Sequence, residues 1–114
     1  MKNMDVGIDL VDVSRMRNIL GEQREHFLTK TFSPLEQEYC YSHKDPAPHF
    51  AGTFAAKEAV RKATGMTSPF NEIEVRHASS GKPEIWIRGF LAPYIHVSIT
   101  HTDSSAAAVA VAEN

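Results

Sequence analysis

The chain has 114 residues, a formal net charge of −2 and 42% hydrophobic residues, which fits one domain spanning 1–114 with a modest core. That charge excludes a global basic field for holding nucleic acid or an anionic membrane, so an anionic ligand has to be met by a local cluster of basic groups. Cys40 is the single cysteine, which excludes an internal disulfide; with no signal-like apolar run over Met1–Gly7 and nothing near the ~20 apolar residues of a membrane span, the chain reads as cytoplasmic.

In chain order, Val6–Val11 is a β-branched run that predicts a strand, with Val6, Ile8 and Leu10 on one face and Gly7, Asp9 and Val11 on the other. Asp12 or Ser14 then caps a helix carrying Met16, Ile19 and Leu20, which Gly21 ends or interrupts. Helix resumes over Arg24–Thr31, with Phe27 and Leu28 inward. Ser33-Pro34-Leu35-Glu36 is a helix start with a capping box, running to about His43. Asp45-Pro46-Ala47-Pro48 reads as a breaker, and a longer helix is expected from about His49 to Thr64, stopped by Gly65. Its stripe Ala56, Ala59, Val60 and Ala63 should face the core, while Phe50, Phe54, Glu58 and Lys62 form a second stripe. The last third alternates as β: Glu72–Ala78, a turn at Ser79–Lys82, and Pro83–Arg88. Gly89–Tyr94 reads as a loop or one helical turn, and Ile95–Thr102 pairs with Ser105–Glu113 as a hairpin.

Two carboxylates stand in poor places for a charge. Asp9 interrupts an apolar strand, and Glu58 lies mid-helix between Phe54 and Lys62. Carboxylates near apolar walls need a partner, commonly a cation, and Mg²⁺ typically takes one or two of them alongside waters and phosphates. Plainer readings stand beside this one: Asp9 as an edge-strand or capping residue, Glu58 as the i,i+4 partner of Lys62. Lys57, Arg61 and Lys62 form a basic cluster that either holds a polyphosphate or solubilises a helix face. His96 and His101 flank a strand without zinc-ligand spacing, and no P-loop, dinucleotide-binding or nucleophile-elbow motif is present. Arg15, Arg17 and Arg24 are either surface arginines or a docking face for an acidic partner.

Taken together, Val6–Val11, the Phe54-Ala55-Ala56-Lys57-Glu58-Ala59 stretch with Lys62, Ala63 and Gly65, and His96–Thr102 resemble the holo-acyl-carrier-protein synthase family, as does Gly81-Lys82-Pro83 before a strand. The resemblance extends along nearly the whole chain. It implies an α+β fold, an antiparallel sheet packed on a long helix, that transfers the phosphopantetheine arm of coenzyme A to a serine of an acyl carrier protein. It implies Mg²⁺ held by Asp9 and Glu58, Lys62 beside the reacting phosphate, and coenzyme A contacts from Gly81, Lys82, Pro83, His101 and Thr102. It further implies a homotrimer with sites between protomers, and docking of the acidic carrier on Arg15, Arg17 and Arg24. Two features depart from the family's pattern: Thr53 stands where an arginine is usual, and the loop after the long helix is Gly65-Met66-Thr67-Ser68-Pro69. Lys44 and Arg61 are the basic residues that would compensate. A catalytically silent homologue that binds carrier or nucleotide is the alternative, and an unrelated metal-dependent phosphate hydrolase is a third reading.

Overall fold

Caps and turns set the element boundaries in the computed structural model, which describes residues 3–114; Met1 and Lys2, part of the segment read for a leader, lie outside the described residues. Strand β1 (Met4–Asp12) runs directly into α1 (Val13–Gly21), whose N-cap Asp12 accepts the Ser14 N–H at 3.1 Å. After α2 (Glu25–Thr31), the expected capping box starts α3 (Pro34–Tyr41): Ser33 Oγ accepts the Glu36 N–H at 3.2 Å and Glu36 Oε1 accepts the Ser33 N–H at 2.9 Å.

The long helix α4 spans Pro46–Thr64 and so begins earlier than expected. Asp45 is its N-cap residue, and the prolines of the supposed breaker fall in the first turn, where a missing N–H costs no helical bond. Gly65, at φ 72°, closes α4 by donating its N–H to Arg61 O at 2.8 Å.

A 3₁₀ turn (Phe70–Glu72) leads into β2 (Ile73–His77), β3 (Pro83–Ile87), β4 (Phe90–Leu91), β5 (Ile95–His101) and β6 (Ser105–Glu113). The strands form two three-stranded sheets, ordered β1-β6-β5 and β2-β3-β4, with every pairing antiparallel. Strand β4 replaces the loop or helical turn read at Gly89–Tyr94. Arg88 and Gly89 both have positive φ (50° and 85°), the geometry of a two-residue hairpin turn.

Helix α4 crosses the β1-β6-β5 sheet diagonally, its early part over β5 and its late part over β1, and small residues make this possible. Ala55, Ala56, Ala59 and Ala63 on the helix meet Ala108, Ala110 and Ala112 of β6 in one buried cluster. A Cβ added at Gly52 would lie 2.9 Å from the Ile99 side chain of β5. One added at Gly7 would lie 2.0 Å from Ala59 O and 2.8 Å from Ala63 N. Gly7→Ala therefore forces β1 off the helix backbone, and a loss of about 1–3 kcal/mol or more is expected, read as a lower denaturation midpoint. The opposite face of β1 is bare: Val6, Ile8 and Leu10 are 63%, 65% and 71% exposed. No helix among the described residues is long and apolar enough to cross a membrane.

Candidate active site

Gly7, Asp9 and Val11 share the β1 face that looks onto α4, so the close approach at Gly7 carries Asp9 to the helix. Lys62 Nζ donates to Ile8 O at 3.0 Å and to Asp9 Oδ1 at 3.3 Å. The Asp9 side chain is only 16% exposed while that of Lys62 is half exposed. Glu58 lies one turn before Lys62 on the same helix face, partly buried, with no hydrogen bond or ion pair among the described residues. The i,i+4 pairing of Glu58 with Lys62 is thus not made: the lysine turns to Asp9 instead. This edge presents two carboxylates, one with an unbonded oxygen and one without a cation, beside an ammonium group. Such hard oxygen donors suit a divalent cation that completes its shell with water and phosphate. Among the described residues no group of three or more His, Cys, Asp or Glu is arranged as an all-protein metal cage.

A cavity of about 450 Å³ lies at the other edge of the same sheet. It is bounded by the start of α4 (Pro48, His49, Gly52, Thr53), the Gly81-Lys82-Pro83 turn, and β5 with His101. Gly81 holds its turn at φ 90° and donates its N–H to Ala78 O at 2.8 Å. Tyr39 and His77 complete the walls, stacked at 3.8 Å. Thr102, expected among the coenzyme contacts, spends its hydroxyl on the β5–β6 turn, accepting the Ser104 and Ser105 N–H groups at 3.3 and 3.1 Å.

The two regions are separate within one chain. Asp9 is on β1 and His101 on β5, the two edge strands of the sheet, about 10 Å apart by strand spacing. Helix α4 passes between them.

The basic cluster read on α4 divides three ways. Lys57 is fully buried and donates to Glu36 Oε1 and to Thr31 O, each at 2.6 Å, so it is no surface cation. Glu36 also accepts the N–H groups of Ser33 and Val75. Burial pushes Glu36 up and Lys57 down from their ordinary values, each opposed by the other's charge. Arg61 donates to Ser68 O at 2.7 Å and lies 4.1 Å over the Phe70 ring, tying down the loop after α4. Only Lys62 faces the carboxylates. Lys44 is exposed on the turn after α3, and neither it nor Arg61 lines the 450 Å³ cavity.

Arg15 borders a groove with Leu10, Met16, Ile19, Phe27 and Phe54. Arg17 makes a two-pronged pair with Asp45 at 2.6 and 3.1 Å. Arg24 borders a separate cavity with Phe27, Lys30, Arg61 and Phe70. Cys40 is buried beside Thr53, and burial pushes its thiol up to about 12, as suits a structural residue.

Residues 5–112 match the profile of the 4′-phosphopantetheinyl transferase superfamily. The chain is 40% identical to a holo-acyl-carrier-protein synthase of Syntrophus aciditrophicus over 94% of its own length and 93% of the relative's. It is 44% identical to one of Thermodesulfovibrio yellowstonii, covering 93% and 95%. In structure it resembles a Bacillus anthracis holo-acyl-carrier-protein synthase solved in complex with CoA (3′,5′-ADP), with TM-score 0.83, 29% identity, and 100% of this chain and 99% of that chain covered. It also resembles a Helicobacter pylori counterpart solved with coenzyme A, with TM-score 0.77, 28% identity, and 96% and 99% covered. On the agreement of sequence and fold, the chain belongs to the 4′-phosphopantetheinyl transferase superfamily, among the holo-acyl-carrier-protein synthases.

Proposed function

We propose that the protein transfers the 4′-phosphopantetheine group of coenzyme A to a serine of an acyl carrier protein, with Mg²⁺ held at Asp9 and Glu58. The observation that carries this reading is the β1–α4 edge, where Lys62 is anchored to Asp9 while Glu58 is left without a cation. A magnesium ion bound there supplies charge neutralisation for a pyrophosphate.

Asp9 and Glu58 are the residues that would hold the ion, which would neutralise and orient the pyrophosphate. Lys62, half exposed and with two of its three N–H groups on Ile8 O and Asp9 Oδ1, turns the remaining N–H toward a phosphate oxygen and stabilises charge as the bond breaks. The serine oxygen forms a bond to the β-phosphorus as its proton is lost to water, the bond from that phosphorus to the bridging oxygen breaks, and 3′,5′-ADP departs with the electron pair. Positioning and electrostatics supply most of the acceleration in such displacements. The adenosine end is received by His101 and the Gly81-Lys82-Pro83 turn in the opposite-edge cavity.

Because those two halves lie on opposite edges of the sheet, a complete site is proposed to form between protomers. The β1 edge of one copy then faces the cavity of the next. The bare Val6, Ile8 and Leu10 face gives the apolar surface that such a homotrimer buries.

The test is mass spectrometry of an apo acyl carrier protein incubated with the protein, coenzyme A and Mg²⁺. A phosphopantetheine adduct on serine supports transfer. Binding of coenzyme A without an adduct on any carrier supports the silent homologue, and coenzyme A cleavage without a carrier supports the hydrolase.

Arg15 is the clearest docking cation, since it borders an apolar groove, whereas Arg17 is engaged by Asp45. Arg15→Glu is expected to lower kcat/KM for an acidic carrier roughly tenfold at low salt, with the deficit shrinking as ionic strength rises. Steady-state kinetics at two salt concentrations check this.

A further inference from the structure

Four of the six histidines gather at the 450 Å³ cavity. His49, His77 and His101 line it. His43 stacks behind His49 with ring centroids 3.5 Å apart and planes 15° from parallel, and His101 meets His49 edge-on at 5.3 Å. Among the described residues, Lys82 is the one fixed cation in the lining, and no Asp or Glu is part of it. The carboxylate acting on His49 is Asp45, before α4, which is held by Arg17 of α1. From α3 the cavity faces Tyr39, and from β2 only His77.

The charge of this cavity is therefore set largely by imidazoles, the side chains that change charge between about pH 5 and 8. Two imidazolium rings stacked as closely as His43 and His49 would repel. Burial first, then His43 and His101, hold His49 below the usual imidazole value, with Asp45 opposing. A bound dianion reverses that balance, because each added proton then gains an opposite charge. A monoester phosphate provides such a dianion near neutral pH, its second ionisation lying near pH 6.

We propose that this cavity is a proton-linked phosphomonoester site, in which the cluster of His49, His77 and His101, backed by His43, takes up protons from solvent as the phosphate enters. The inference rests on the coenzyme A reading above, under which the phosphomonoester is the 3′-phosphate. It assigns the charge that receives this group to histidines from α3's end, α4, β2 and β5 in addition to Lys82. Coenzyme affinity then falls as pH rises through neutrality.

The test compares coenzyme A with 3′-dephospho-coenzyme A by titration calorimetry at pH 6.5 and 8.0, in two buffers of different ionisation enthalpy. The preference for coenzyme A is expected to be larger at pH 6.5 by about threefold for one imidazole made tenfold more basic by the ligand, and about tenfold for two. Net proton uptake should accompany coenzyme A binding and be absent or smaller for the dephospho form. His49→Gln and His77→Gln should each flatten the pH dependence of the preference for coenzyme A over the dephospho form. If both ligands bind with a preference that is the same at both pH values and without differential proton uptake, the proton-linked site is overturned and the transferase reading stands. If neither ligand binds, the coenzyme reading fails and this site with it. The comparison on the unaltered protein decides the matter even where a histidine variant does not fold.

Discussion

Asp9→Ala and Glu58→Ala are each expected to lower the rate of phosphopantetheine transfer by at least about a hundredfold, on the order of 3 kcal/mol of transition-state stabilisation. Each removes one of two carboxylates from the β1–α4 edge, and the remaining one holds a divalent cation poorly. The two variants should differ in detail. Asp9→Ala also frees Lys62, whose anchor would be reduced to Ile8 O, so its ammonium group becomes less well positioned. Glu58's carboxylate has no partner among the described residues to release, so Glu58→Ala should act through the ion alone, with a higher Mg²⁺ requirement. Neither carboxylate holds the core together, and both variants should retain the unaltered protein's denaturation midpoint to within about 1 kcal/mol. Initial rates across a Mg²⁺ titration, with chemical denaturation in parallel, check both statements.

Lys57→Met is expected to give the largest loss of stability. The side chain is fully buried and its ammonium lies 2.6 Å from Glu36 Oε1. Removing it leaves Glu36 as a fully buried carboxylate without its cation, at a cost of about 3–5 kcal/mol. Against a total of about 5–15 kcal/mol for a domain this size, that is enough to unfold a substantial fraction of the protein. Glu36 cannot simply be made apolar in compensation, because it also accepts backbone N–H groups from Ser33 and Val75. The pair thereby ties α2, α3, α4 and β2 at one point. Urea denaturation should show the loss directly, and transfer per folded molecule should fall far less than for Asp9→Ala. Unchanged stability with transfer abolished would instead make Lys57 a site residue.

These two lysines show what the sequence made legible and what it did not. Lys62 and Lys57 sit in the same motif, and both were read into one basic cluster. Lys57 is three residues from Val60 and next to Ala56, which puts it on the buried side of α4 at 100° per residue. That signal was present but outweighed by its charge, since lysines are seldom buried without a partner. The partner, Glu36, was read only as a capping residue, a role it also fills. Capping chemistry is local, so the start of α3 and the end of α4 were readable to the residue. The β3–β4 turn was not, because Arg88 at φ 50° lacks the Asn or Asp that usually marks such a turn. The start of α4 was misplaced because two prolines suggest an end as readily as a beginning.

The histidine-walled cavity was the least legible feature. Its histidines come from separate elements, and of them the sequence singles out only His101. Stacking of Tyr39 on His77, and of His43 on His49, depends on the packing of α3 against α4 and β2. No spacing in one segment encodes that. Asp9 and Glu58 were legible as carboxylates in poor surroundings, but the approach of β1 to α4 that carries Asp9 to the helix depends on Gly7 admitting the α4 backbone.

The most direct test of the central claim is a crystal structure of the protein with coenzyme A and Mg²⁺. The account predicts one ion with an Asp9 oxygen and a Glu58 oxygen each at about 2.0–2.1 Å, pyrophosphate oxygens and water in the remaining positions, and Lys62 on a phosphate oxygen. An ion bound to the pyrophosphate with neither carboxylate in its coordination shell, in any protomer or at any junction between them, would contradict it.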